Sequence, residues 1–96
     1  SQFEDLLALP AGEARQRQGT SLMRACERLY QRDQQPAYLW NALEIVCRAP
    51  LDSQNLFRLT QELVGLQGDA HVRHRIKTES SFEAARLVFD DTATLN

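Results

Sequence analysis

Between Pro36 and Leu66 apolar residues recur with the period of a helix, in two runs separated by a proline break. The first run, PAYLWNALEIVCR, gathers Leu39, Trp40, Ala42, Leu43, Val46 and Cys47 on one wide arc. Only Asn41, Glu44 and Arg48 form a polar strip, flanked by Tyr38 and Ile45. An arc that wide belongs to a helix covered on more than one side. Pro36 suits the first turn, where its missing N–H leaves no bond unmade, and Pro50 stops the run. The second run repeats Leu56, Leu59, Leu63 and Leu66 at i, i+3, i+7 and i+10, beside Phe57 and Val64. Arg58, Gln61 and Glu62 face the other way, and Asp52 or Ser53 supplies a cap. The pattern predicts a central antiparallel pair over 36–48 and 52–66, because a short link leaves two helices side by side.

The flanking sequence predicts further helices. Ser1-Gln2-Phe3-Glu4 has the spacing of a capping box, opening a short helix to about Leu9 that buries Phe3, Leu6 and Leu7 before Pro10. The polar stretch 10–19, between Gly12 and Gly19, reads either as a weak solvated helix or as a flexible linker. Thr20 or Ser21 then caps a helix to about Gln34 with Leu22, Cys26 and Leu29 on one stripe, flanked by Met23, Ala25 and Tyr30. HVRHRIK at 71–77 fits two periods. As a strand it puts His71, Arg73, Arg75 and Lys77 on one face; as a helix capped by Asp69 it stacks Val72 over Ile76. No second strand exists to pair with it, and a lone strand leaves its backbone unsatisfied, so helix is expected. Ser80-Ser81-Phe82-Glu83 repeats the capping-box spacing and opens a last helix through about Phe89, with Ala85, Leu87, Val88 and Phe89 available for burial. Residues 90–96 read as a frayed tail. The expected fold is all-α: one compact domain over 1–96, a bundle of about five helices.

Composition narrows the class without naming it. A chain of 96 residues is one domain, and leucine and alanine outnumber valine and isoleucine, as helices favour. No apolar run approaches the ~18–20 residues of a membrane span, and no signal-peptide pattern opens the chain. The expectation is a cytoplasmic protein with no membrane partner. A net charge of −2 gives no general pull toward nucleic acid. Yet charge is uneven: Arg15, Arg17, Arg24, Arg28 and Arg32 crowd one stretch, 71–77 is basic, and both ends are acidic. Arginine outnumbers lysine ten to one, which suits planar recognition of carboxylate or phosphate and also follows from a GC-rich genome.

Candidate chemistry is sparse. His71 and His74 give one short pair, whereas zinc needs four convergent ligands, and Cys26 and Cys47 fall on core stripes. The same placement argues against a reactive thiolate and for two reduced, buried thiols. No glycine-rich phosphate loop or hydrolase signature is present. The sequence therefore predicts no catalytic residues, no metal, no cofactor, no small-molecule substrate and no enzyme.

Two binding readings remain. SFEAARLVFDDTATLN resembles a helix-turn-helix, with EAARLVF as its first helix and DTATLN opening a recognition helix. It departs from that motif in lacking the turn glycine near Phe89 or Asp90, and Asp90 and Asp91 would repel phosphates. The resemblance implies a DNA-binding regulator whose phosphate contacts come from Arg73, Arg75 and Lys77. The leading expectation is instead a protein–protein interaction module, an adaptor or inhibitor that binds or occludes a partner, or a self-associating chain. Arg24, Arg28 and Arg32, with Tyr30 beside them, would be its anchors. Small helical chains of this kind are common on phages and other mobile elements, which is an association only.

Overall fold

Five α-helices account for most of the chain: α1 (Gln2–Ala8), α2 (Glu13–Asp33), α3 (Pro36–Arg48), α4 (Ser53–Gln67) and α5 (Asp69–Thr78). A 3-10 segment, Ser80–Ala85, follows and continues into a helical turn over 86–89. The structure, a computed structural model, describes residues 2–8, 12–49 and 53–89, and no strand occurs among them. The fold is all-α and compact, with a radius of gyration of 13.2 Å, close to the ~13 Å of a folded 100-residue domain. The expected cap at Ser1, the stops at Pro10 and Pro50, the alternative cap Asp52 and the tail 90–96 lie outside the described residues, as do the side chains of Phe3 and Leu7.

Helix α3 is the axis, packing against α2, α4 and the 3-10 segment. That is why its apolar arc is so wide: Leu39, Trp40, Ala42, Leu43, Ile45 and Val46 are all buried. Asn41 and Arg48 are exposed, and Glu44 pairs with Arg48 at 3.7 Å, so the polar strip lies as the sequence predicts. Trp40 is only 3% exposed. Its Nε1–H donates to Gln67 Oε1 at 2.8 Å, and Phe82 packs against the ring at a 5.0 Å centroid separation. Trp40 stands near the start of α3 and Gln67 ends α4, so the two helices run antiparallel.

Helix α2 starts earlier than expected. It begins at Glu13, behind Gly12 at φ 130°, and Gly19 is a buried residue in its interior. The expected boundary at Thr20 or Ser21 is therefore mid-helix. One internal glycine costs about 1 kcal/mol, and the Glu, Ala, Arg and Gln residues before it are strong helix formers. The other end is capped without glycine. Gln34 takes the left-handed conformation at φ 58°, its N–H donating to Tyr30 O at 2.7 Å. Its side-chain Nε2 reaches the carbonyls of Tyr30 and Gln31, at 3.2 and 3.1 Å. These bonds satisfy the last carbonyls and offset the strain of the turn.

The inward stripe of α4 is Leu56, Leu59, Thr60 and Leu63 rather than the leucine series alone. Thr60 is fully buried because its hydroxyl donates to Leu56 O at 2.8 Å. Leu66, expected inside, is 49% exposed, and Phe57 is 54% exposed. In the last turn Gln67, itself exposed, accepts the indole N–H of Trp40.

The segment 71–77 is helical, within α5, and stacks fully buried Val72 and Ile76 against the core. Its N-cap is Gly68 at φ 91°, not Asp69, which is the first helical residue. The last helix departs most from expectation. Ser80–Ala85 winds as a 3-10 segment with no side-chain cap, kinked at Phe82 (φ −109°, ψ 20°), which seats the ring on Trp40. Ala85, Val88 and Phe89 are buried as expected, but Leu87 is 61% exposed. Arg86 fastens this segment: Nε donates to Ile76 O at 3.0 Å and Nη2 to Glu79 O at 3.4 Å. Two carbonyls at the end of α5 thus gain a charged donor. Arg86→Met is expected to lower unfolding free energy by about 1–2 kcal/mol, read by urea denaturation.

Candidate functional site

Seven of the ten arginines are engaged within the chain, Arg15 among them. Arg32 grips its neighbour Asp33 through Nε at 2.8 Å and Nη2 at 3.0 Å, a hydrogen bond that holds the Asp33 carboxyl below its usual range. Arg48 meets Glu44, and Arg58 bridges Glu27 at 2.6 Å on α2 and Glu62 at 3.5 Å on α4. Arg73 pairs with Asp69 at 3.2 Å and lies 4.5 Å over the Phe89 ring. Arg75 pairs with Glu79 at 2.6 Å and lies 4.3 Å over Trp40. Arg86 caps α5, as described.

Arg17, Arg24 and Arg28 differ: all three are exposed, and none makes an ion pair or hydrogen bond. At about 100° per residue, positions 17, 24 and 28 fall within about 40° of one another on α2. They line a shallow, open hollow of about 460 Å³, together with Glu13, Gln16, Thr20 and Ser21. The geometry joins three planar, solvated cation forks along one helix face, with short polar side chains between them. Such a face can donate hydrogen bonds to carboxylate or phosphate oxygens.

The residues expected from the sequence are distributed differently. Arg24 and Arg28 belong to this face, but Arg32 is occupied by Asp33, and Tyr30 is a core residue only 9% exposed. Arg17 lies before the helix start that the sequence predicts at Thr20 or Ser21; with α2 beginning at Glu13, the spacing i, i+7, i+11 brings it onto the face. Arg73 and Lys77, i and i+4 on α5, share a face, but Arg75 does not. Alternate residues sit about 200° apart on a helix, and the two arginines lie back over aromatic rings while Lys77 is exposed. The first helix of the helix-turn-helix resemblance is replaced by the 3-10 segment and one helical turn. Its recognition helix lies outside the described residues.

Cys26 and Cys47 are free thiols, half-buried rather than fully enclosed. Burial raises the Cys26 thiol, and it pushes Cys47 up to about 11, against a partly opposing backbone hydrogen bond at Ala85. The folded Cys47 holds its proton more tightly than the unfolded one. Its contribution to stability is therefore whole below pH 9.0 and is lost as the pH rises toward about 11. Melting temperature is expected to fall across that alkaline window, and less steeply in Cys47→Ala. Thiol reagents should modify Cys47 slowly at neutral pH until the chain is denatured.

His71 and His74 are both exposed on α5. Among the described residues no group of three or more His, Cys, Asp or Glu side chains could hold a metal ion. None of the described helices is long and apolar enough to cross a membrane. No family model, no curated protein and no solved structure matches this chain.

Proposed function

We propose that this chain is a non-enzymatic protein–protein interaction module that docks a partner through the arginine face of α2. One observation carries the reading: Arg17, Arg24 and Arg28, unpaired while the seven other arginines are engaged, converge on one hollow. Like charges at i and i+4, as in Arg24 and Arg28, repel by about 0.2–0.5 kcal/mol on an isolated helix. Glu13 is the one carboxylate lining the hollow, and none of the three arginines is paired with it, so the face is available for carboxylates from outside. Arginine is also the charged residue most enriched at protein interfaces and among their energetic anchors.

The test compares affinity isolates from the native host for the wild-type chain, the Arg17→Glu/Arg24→Glu/Arg28→Glu variant and a Lys77→Glu control. A specific protein held by wild type and control but lost from the triple variant is the expected result. Each true anchor is expected to contribute about 1 kcal/mol or more to binding. Recovery of nucleic acid that depends on Arg73, Arg75 and Lys77 would move the assignment to DNA binding. All three substitutions are on exposed positions, so circular dichroism should show an unchanged fold.

A further inference from the structure

Resting on the α2 docking face just described, we infer that the element it receives is an acidic α-helix presenting carboxylates at i, i+4 and i+11. The spacing of the arginines selects this shape. At about 1.5 Å rise per residue, Arg24 and Arg28 stand about 6 Å apart along α2, and Arg17 about 10.5 Å from Arg24. A partner helix has the same rise and turn, so carboxylates at i, i+4 and i+11 fall on one face at matching intervals. An extended strand does not match. At about 3.4 Å per residue the short interval is two residues and the long one about three, so the third side chain points to the opposite face.

The chemistry of the hollow agrees. Thr20 and Ser21 lie between the arginines, Glu13 and Gln16 close the N-terminal end, and no large apolar side chain lines it, so an apolar anchor finds no pocket there. Arginine forks donate to carboxylates in bidentate fashion, which rewards a preorganised row of them. Duplex DNA fits less well: a recognition helix must protrude to enter a major groove, and this face borders a hollow. A second copy of the chain does not supply the row either. Glu27, Glu44, Glu62 and Asp69, on its own helices, are already held in ion pairs.

The experiment is a titration of the full, isotope-labelled chain, followed by amide NMR, with two alanine-based helical peptides. One carries glutamate at i, i+4 and i+11; the other has the same composition with glutamate at i, i+5 and i+10, spread around the helix. The matched peptide is expected to shift the amides of α2 around Arg17, Arg24 and Arg28 and to bind about tenfold more tightly than the control. The preference should shrink as ionic strength rises. The Arg17→Glu/Arg24→Glu/Arg28→Glu variant should lose it and instead prefer the matched peptide remade with lysine. Equal binding of the two peptides, no shifts on α2, or tighter binding of a DNA duplex at this face would each overturn the inference. If the native partner depends on the three arginines while the matched peptide fails, the docking face stands and only the acidic-helix assignment falls. If the native partner ignores the arginines, both fall.

Discussion

Trp40→Ala is expected to lower the stability of this protein by about 3–5 kcal/mol, out of the ~5–14 kcal/mol available to a chain of this length. The substitution removes a ring that is 3% exposed, empties the contact with Phe82 and leaves Gln67 without its donor. It also takes away the surface on which Arg75 rests. Because Trp40 is the sole tryptophan, the transition must be followed by circular dichroism rather than by fluorescence. A fall in melting temperature of more than about 10 °C is expected for a loss of that size. Trp40→Phe retains most of the apolar volume and loses the indole N–H, so it should lie between wild type and alanine. An unchanged melting temperature for Trp40→Ala would contradict the packing described for α3.

The second large effect separates two leucines of one helix. Leu63 is completely buried and Leu66 is 49% exposed, although they sit three residues apart in one apolar series. Leu63→Ala is expected to cost about 2–5 kcal/mol, through lost burial and the cavity left behind. Leu66→Ala should stay within about 0.5 kcal/mol, as surface changes do. Urea denaturation of the two variants side by side measures the difference. Comparable losses would mean that α4 is rotated relative to the core. Equality in the other direction, with both changes mild, would mean that α3 and α4 are not packed through Leu63.

How far the sequence is legible follows from where its signals are local. The period of α3 and the proline at its start are properties of thirteen neighbouring residues, and they carried the prediction of the central helix. The burial of Val72 and Ile76 was legible for the same reason, since i and i+4 stack on any helix. The start of α2 was not, because Gly19 looks like a boundary unless something buries it. Nor could local pattern tell that Leu66 is left exposed while Gln67 bonds the core indole, for that depends on an N–H 27 residues away. The 3-10 segment was hidden likewise: its capping-box spacing is real, but the demand of Phe82 to reach Trp40 overrides it. For the candidate face, arginine-rich α2 was visible, while the distinction between Arg17 and Arg32 was not. It turns on which carboxylates are within reach, and Asp33 beside Arg32 is an ion pair only once its geometry is known.

Three partners of Trp40 come from later in the chain: Gln67 at the end of α4, Arg75 in α5 and Phe82 in the 3-10 segment. A nascent chain leaving the ribosome therefore presents its largest apolar side chain well before anything can cover it. Helices α2 and α3 can pair as soon as they emerge, since Gln34 and Gln35 alone connect them. The indole waits longer, and its ring is shielded only when residues beyond Phe82 have cleared the exit tunnel. During synthesis the exposed α3 is the surface that a holding chaperone would meet, until the segment carrying Phe82 follows it out and closes over the indole.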